Sequence, residues 1–203
     1  MGLPRVVFDS PLLGRPFFTA YGASKSWVYA THGRNFLLTI LRLATEREEL
    51  KIVADQVGAP TCALDLAEAT ARILVGIVSS SLSQFAFPEA SGTYHMTAAG
   101  QTKWYEFANA ILEQARHASQ NLPWLASATR GSPLITSRVL PITTGEFLLP
   151  ARRPANSVLS NARLRQTFGV VLPDWRAQLH SCFSRRASTA AIRDAVDDNR
   201  RKV

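Results

Sequence analysis

Segments with helical periodicity alternate along this chain with short apolar runs, and this alternation is the feature that most constrains its fold. Apolar residues recur at helical spacing from residue 36 to about residue 49, which predicts an amphipathic helix. Residues 50–54 follow as a short strand, and the Gly58-Ala59-Pro60 turn comes after it. Residues 63–80 then predict a mostly buried helix, because their polar stripe is narrow.

The second half of the chain continues this pattern. Residues 93–97 alternate enough for a strand, and Thr102 is a suitable N-cap for a helix over residues 104–115. The stretch 117–157 is polar and contains five prolines. Two short helices should follow, and together these elements indicate an α/β protein.

The two last helices are predicted from their end signals. Ser160 is placed to cap a helix that reaches Phe168, with Gly169 at its C-terminal end. Pro173 is well placed in the first turn of a final helix that extends to about Phe183.

Composition excludes several classes of protein. With 203 residues, the chain can form one sizeable domain or a domain with a small lobe. No apolar run approaches the roughly 18 residues that cross a membrane, and residues 1–9 do not resemble a signal peptide. Cys62 and Cys182 are too few for a disulfide framework and lack the spacing of metal ligands. We therefore expect a cytoplasmic protein without membrane contact.

The net charge of +8 raises the question of nucleic-acid binding. Residues 184–203 contain six basic and three acidic side chains, which supply +3 of that charge. The remaining basic residues are scattered and form no stripe interleaved with aromatic residues. A solvated, disordered tail is therefore favoured over a nucleic-acid-binding arm.

Tyr21 and Lys25 have the Tyr-x-x-x-Lys spacing that places both side chains on one face of a helix. An ammonium group one turn away lowers the pKa of a phenol, which makes the tyrosine a usable proton donor to a carbonyl. This spacing also arises by chance, so the pair alone does not decide between catalysis and structure.

Several motifs, in order, make the chain resemble the dTDP-4-dehydrorhamnose reductases, a family of extended short-chain dehydrogenases/reductases. These motifs are Ser26-Trp27-Val28-Tyr29-Ala30, Gly33-Arg34-Asn35-Phe36, Leu41-Arg42-Leu43-Ala44, Glu46-Arg47-Glu48-Glu49-Leu50, Asp55-Gln56-Val57-Gly58-Ala59-Pro60-Thr61, Gly92-Thr93-Tyr94-His95, Ala151-Arg152-Arg153-Pro154 and Leu172-Pro173-Asp174-Trp175. The resemblance spans residues 26–183 and implies a Rossmann-like doubly wound fold whose C-terminal substrate-binding lobe is largely retained.

The resemblance also implies a reaction and its site. In the family, NADPH or NADH supplies hydride to the C4 ketone of dTDP-4-dehydro-L-rhamnose, and a tyrosine donates the proton. Tyr21 would be this acid, with Lys25 as its partner and as a contact to the cofactor. Mg²⁺, a homodimer or association with a full-length subunit would be compatible with the family.

Three further residues are candidates for substrate binding by resemblance. Trp27 would lie against the deoxysugar, although a core tryptophan is an equal alternative. Asn35 and Arg153 would contact the nucleotide sugar, and a guanidinium suits a diphosphate because it donates paired hydrogen bonds; solvation at the surface is the alternative for both. We expect His95 to be structural and Trp104 to pack in the core.

The sequence departs from the family in its first residues. No two of its eleven glycines are closer than eight residues, so the Gly-rich loop that holds the cofactor diphosphate is absent. Leu3 and Pro4 stand where the family has a hydroxyl residue. Lys25 runs directly into Ser26, although the family fold needs on the order of 20 residues there.

These departures predict a chain truncated at its N-terminus and with an internal deletion. Residues 1–25 would be a remnant of the Rossmann domain, residues 26–183 the substrate-binding portion and residues 184–203 the basic tail. Helices that normally cover the missing sheet would expose apolar faces. We therefore expect marginal stability or aggregation, unless a partner subunit covers those faces, and no activity from the isolated chain.

Overall fold

A computed structural model describes residues 27–78, 92–118, 122–147 and 153–184. The helices in these ranges are α1 (Phe36–Glu46), α2 (Ala63–Val78), α3 (Trp104–His117), α4 (Pro123–Thr129), α5 (Ala162–Phe168) and α6 (Trp175–Ser184). The strands are β1 (Val28–Tyr29), β2 (Glu49–Val53), β3 (Val57–Gly58), β4 (Thr61–Cys62), β5 (Thr102–Lys103) and β6 (Arg138–Ile142). Tyr21, Lys25 and the tail from residue 185 lie outside the described residues, so the predictions for them stay predictions.

The described strands pair two by two. β1 lies parallel to β4, and β2 lies parallel to β6, whereas β3 and β5 are antiparallel. In the longest ladder Glu49 is opposite Arg138, and their side chains form an exposed ion pair at 2.8 Å. Parallel strands combined with helices confirm the predicted α/β class.

Helix α1 forms where its periodicity predicts, and its inner face is buried against α3. It ends at Glu46, about three residues before the predicted end. The backbone N–H groups of Ile135 and Thr136 both donate to the carbonyl of Ala44, and the Thr136 hydroxyl donates to the carbonyl of Arg47. These long-range bonds satisfy carbonyls that a further helical turn would otherwise use, so the chain turns into β2.

The main core lies between α1, α3 and α6, and its centre is aromatic. Trp27 and Trp104 stack with their ring centroids 3.6 Å apart, and Phe36 lies 4.5 Å from Trp104. Phe107 extends this cluster towards Trp175, with an edge-to-face contact at 5.9 Å. Rings of this size bury much apolar area and account for a large share of the core.

The prediction that α2 is mostly buried is wrong. Ala69 packs on its inner side into a small cluster with Leu164, Val170 and Leu172. The opposite side exposes Leu74 by 56% and Val75 by 66%. The apolar residues of α2 are thus too numerous for the surface that the described residues offer them, in keeping with the exposed apolar helix face expected from the sequence.

Two predicted helix caps are displaced by one residue. Lys103 is the N-cap of α3, while Thr102 donates its hydroxyl to the Glu106 carboxylate at 2.8 Å. This bond is the main cause that lowers the pKa of Glu106. Asn161 is the N-cap of α5, and the Ser160 hydroxyl accepts from the N–H of Ala162.

The end signals of the two last helices are otherwise close to the prediction. Gly169 ends α5 with a φ of 64°, a left-handed conformation that glycine adopts without strain, and its N–H donates to the carbonyl of Arg165. The last helix begins at Trp175, two residues after Pro173, because Asp174 caps it through a bond from the N–H of Arg176.

The prediction of a strand over residues 93–97 is wrong. Residues 93–97 form no strand, since the amide side chain of Asn161 pairs with both the N–H and the carbonyl of Thr97 in place of a neighbouring strand. The proline-containing stretch 117–157 contains α4 and β6. Pro141 lies within β6 opposite Ile52, and because β2 is the one strand that pairs with β6 among the described residues, the proline stands in an edge strand.

No helix among the described residues is long and apolar enough to cross a membrane.

The exposed side of α2 predicts self-association of the chain. Replacing Leu74 and Val75 together by Gln should reduce light scattering on heating, because it removes the two most exposed of the large apolar side chains described on this helix. The free energy of unfolding in urea should change by less than about 0.5 kcal/mol. As a control, Ala69→Gln puts an amide into the small buried cluster and should destabilise the fold by about 1–3 kcal/mol. Scattering that is unchanged in the double variant would contradict the prediction.

Candidate functional site

The segment from Asp55 to Thr61 is the centre around which the candidate residues are arranged. It contains β3 and the first residue of β4, Thr61, whose N–H donates to the carbonyl of Trp27 at 2.9 Å. Gly58 lies directly against the Trp27 indole, and a Cβ at this position would overlap ring atoms Cε2 and Nε1. Only glycine therefore allows the chain to pass so close to the ring.

Trp27 is fixed from two directions and is only 4% exposed. Its ring is stacked nearly parallel to that of Trp104, with an interplanar angle of 6°, and it also packs against Gly58. Trp104 lies in the same core, as predicted. The contact of Trp27 with a sugar stays a prediction, and in this arrangement it would require a shift of the segment that carries Gly58.

Asn35 is buried at the N-terminus of α1 and is its N-cap. Its Oδ1 accepts from the N–H of Leu38, and its Nδ2 donates to the carbonyls of Ala30 and His32 at 2.9 and 3.0 Å. These bonds use both amide hydrogens and one acceptor position. The side chain thereby closes the loop between β1 and α1, and its predicted contact with the substrate is neither supported nor contradicted.

Arg153 begins the segment that pairs with β3. The carbonyl of Ala155 accepts from the N–H of Val57, and the carbonyl of Val57 accepts from the N–H of Ser157, both at 2.8 Å. The Arg153 side chain is partly buried, and the loss of solvent lowers its pKa below the ordinary value. Within the described ranges no carboxylate forms an ion pair with it. A partly desolvated guanidinium of this kind favours an anionic ligand.

Trp27 and the segment that begins at Arg153 are thus connected to the same strand. Trp27 packs on Gly58, and the segment that follows Arg153 pairs with Val57, so both adjoin β3. Asn35 is connected to them through its neighbour Phe36, which contacts Trp104. His95 is exposed in an irregular segment, and its structural role stays a prediction.

The start of the same segment carries a polar cluster that sequence reasoning did not identify. Thr144 donates its hydroxyl at 2.6 Å and its N–H at 2.9 Å to the Asp55 carboxylate, and the Gln56 amide donates to the Thr144 hydroxyl. The bonds from Thr144 hold the pKa of Asp55 below its ordinary value. The cluster joins the end of β2 to the end of β6. Asp55 and Thr144 are 89 positions apart in the sequence, so no local pattern predicts their contact.

The described glycines do not form a cradle for a dinucleotide diphosphate. The Trp27 ring occupies the space beside Gly58, the Arg163 side chain lies against Gly92, and the Asp174 side chain lies against Gly100. No G-x-G-x-x-G sequence occurs in the 203 residues. The glycines of the described ranges therefore do not fit the diphosphate of a nicotinamide cofactor. The described ranges also contain no group of three or more His, Cys, Asp or Glu side chains that could hold a metal ion.

Comparison with known proteins gives consistent matches. The family described as RmlD substrate binding domain matches residues 23–188. A dTDP-4-dehydrorhamnose reductase of Burkholderia thailandensis is 48% identical over 157 residues, which cover 77% of this chain and 48% of the relative. One from Escherichia coli K12 is 39% identical over 167 residues, covering 82% of this chain and 50% of the relative. The chain therefore spans about half the length of these curated relatives.

Solved structures give the same result for the fold. A crystal structure of dTDP-4-dehydrorhamnose reductase from Bacillus anthracis in complex with NADP matches with a TM-score of 0.59 at 30% identity, over 77% of this chain and 45% of that one. A crystal structure of a dTDP-4-dehydrorhamnose reductase from Clostridium acetobutylicum matches with a TM-score of 0.58 at 32% identity, over 76% of this chain and 44% of that one. These likenesses confirm the expected relation to Rossmann-type reductases.

The contact between Gly58 and Trp27 predicts a specific cost for Gly58→Ala. The added methyl group would overlap the indole, which cannot move aside because it is stacked on Trp104. We expect a loss of about 1–3 kcal/mol in the free energy of unfolding and a weaker coupled-indole band in circular dichroism. The matched control is Gly145→Ala, whose Cβ would find its nearest neighbour at 3.8 Å. Equal stability of both variants would contradict the packing described.

The bonds to Asp55 predict a pH dependence. Because its pKa is lowered in the folded state, the pair stabilises the fold above the unfolded value of about 3.9, and this contribution disappears as the pH falls through the lower folded value. Thr144→Val removes the hydroxyl donor, so the pKa of Asp55 measured by NMR should rise. Thr144→Ser keeps both donors and should leave it unchanged. An equal rise in both variants would refute this explanation.

Proposed function

Because this chain belongs to the family of RmlD substrate binding domains, we propose that it forms the nucleotide-sugar-binding portion of a dTDP-4-dehydrorhamnose reductase. The observation that carries the proposal is the family match over residues 23–188. The 48% identity to a relative of that name supports the choice of a dTDP-linked deoxysugar as ligand.

In this proposal the complete reaction is carried out by a full-length reductase, of which this chain forms a part. It is the reduction of the C4 ketone of dTDP-4-dehydro-L-rhamnose by NADPH or NADH, which gives dTDP-L-rhamnose. Tyr21 is the proposed proton donor, and Lys25 its pKa-lowering partner. Since the described glycines do not fit the cofactor, we derive no hydride step from this chain and assign it the binding of the sugar nucleotide.

Arg153 is the proposed contact to the diphosphate. Its guanidinium is partly buried, and its charge has lost some of its solvation, which an anion would restore. The fork of N–H donors matches two phosphate oxygens at once. The bonds of Ala155 and Ser157 to Val57 attach the residues that follow Arg153 to β3, the strand whose Gly58 contacts Trp27.

Trp27 and Asn35 have different parts in this proposal. Trp27 forms the apolar floor below the sugar, and Gly58 is the point where the ligand displaces the chain to reach the ring. A direct bond from Asn35 Nδ2 to the sugar would cost the amide its bond to Ala30 or to His32. We therefore propose that Asn35 acts chiefly by positioning the loop that follows β1.

A second candidate is binding of the nucleotide sugar without turnover by this chain. The absence of any G-x-G-x-x-G sequence in its 203 residues favours this alternative. Both candidates share the binding site, and they differ only in whether NADPH binds and is consumed.

Calorimetric titration with dTDP-L-rhamnose tests the shared site. The unaltered chain should bind it, and Arg153→Gln should weaken binding by about 10- to 100-fold, because a hydrogen bond to a charged group contributes about 1.5–3 kcal/mol. Arg153→Lys should recover part of the loss, since it keeps the charge but not the fork. Arg138→Gln, which removes an exposed arginine paired with Glu49, is the matched control and should bind normally.

The outcomes separate the candidates. No binding of dTDP-L-rhamnose at millimolar concentration would overturn the proposal, as would equal weakening by the Arg138 and Arg153 variants. Consumption of NADPH with a dTDP-4-dehydrodeoxysugar would assign the full reaction to this chain. Binding of the sugar nucleotide without NADPH binding would favour the second candidate.

A further inference from the structure

The two cysteines of this chain lie together in the core, although 120 residues separate them in sequence. The Sγ atoms of Cys62 and Cys182 are 3.6 Å apart, and both side chains are buried. Cys62 ends β4, and Cys182 lies in the last turns of α6. The site described above uses neither of them.

The contact between the two sulfur atoms is enforced by a neighbouring bond. The N–H of Cys62 donates to Oε1 of Gln178 at 2.8 Å, and Nε2 of the same side chain donates to the carbonyl of Pro173. Gln178 and Cys182 are four residues apart in α6, so they lie on the same face one turn apart. The buried amide thus fixes the rotation of the helix that brings the thiols together.

The surroundings favour a reactive thiol at Cys62. A hydrogen bond from the Cys182 thiol lowers the pKa of Cys62 to about 7, against the opposing effect of burial. The buried Tyr29 hydroxyl lies close to the two cysteines. Among the described residues it has no hydrogen-bond partner within the usual limits of distance and angle. Burial, with Cys182, Cys62 and Asp65 adding to it, raises the pKa of Tyr29, so this phenol stays protonated.

We propose that Cys62 and Cys182 are an oxidative modification site at which a hydroperoxide converts the two thiols into an intramolecular disulfide. The Cys62 thiolate attacks the peroxide oxygen, the O–O bond breaks, and the released oxygen takes up a proton to leave as water or an alcohol. The Cys182 sulfur then loses its proton and attacks the Cys62 sulfenic acid. The S–O bond breaks, and hydroxide leaves as water.

The overall reaction balances in atoms and electrons. Two thiols lose two electrons and two protons, and one hydroperoxide is reduced to an alcohol, or to water in the case of hydrogen peroxide, together with one further water. The sulfur atoms need to approach from 3.6 Å to about 2.05 Å, a movement that side-chain rotation and a small shift of α6 can supply. The product would lock α6 onto the ladder of β1 and β4.

The test treats the full chain with hydrogen peroxide, unfolds it in an alkylating reagent and measures its mass. We expect the loss of two hydrogen atoms, no alkylation, and a proteolytic fragment that joins the Cys62 and Cys182 peptides. The midpoint of thermal unfolding should rise by roughly 5–15 °C, because the cross-link closes a loop of about 120 residues, and dithiothreitol should reverse the rise.

Two variants test the roles of Cys182 as the second thiol and of Gln178 as the residue that fixes α6. Cys182→Ser should stop at a Cys62 sulfenic acid that dimedone traps, and Gln178→Met should slow disulfide formation because it removes the acceptor that fixes α6. Thiols of the unaltered chain that remain alkylatable at a peroxide dose that oxidises a reference dithiol peptide would overturn the proposal. So would sulfinic acid or disulfide-linked dimers as the main product.

Discussion

The stacking of Trp27 on Trp104 is the contact on which the other parts of this structure depend. It joins the residue before β1 to the first residue of α3, across 77 positions of the sequence. Gly58 lies against the same indole and brings β3 into contact, while Phe36 adds the start of α1. One aromatic pair therefore fixes the relative positions of four elements, and the candidate site is built from their ends.

Much of the fold could be predicted from the sequence wherever local signals determine structure. The apolar periodicity of α1 and α3 identified their buried faces, because a helix repeats every 3.6 residues whatever its neighbours are. Gly169 likewise marked a helix end through its own conformational freedom. By contrast, the exposure of Leu74 on α2 and the strand around Pro141 depend on which distant segments lie beside them, and no local pattern contains that information.

The candidate site also combines features that the sequence predicts with features that depend on distant contacts. Motif order identified Trp27, Asn35 and Arg153. In the structure Trp27 contacts Gly58 of β3, and residues 155–157, which follow Arg153, pair with Val57 of the same strand. Sequence alone could not separate a ring that contacts ligand from one that packs in the core, because both require an apolar, aromatic residue at a fixed place. The Asp55–Thr144 bonds were missed for a different reason: each residue type is common at surfaces, and only the parallel pairing of β2 with β6 brings them together.

The short ladders of this fold place an unusual demand on its buried polar side chains. A two-residue ladder leaves adjacent backbone groups without strand partners, and a buried N–H without a partner costs about 1–3 kcal/mol. Here Gln178 accepts from the N–H of Cys62 across 116 residues, and the Thr61 hydroxyl accepts from the N–H of Ala98 across 37. These side chains perform the task that additional strands perform in a larger sheet. Their polar character, which would be unfavourable in a purely apolar core, is therefore what allows such short strands to be buried at all.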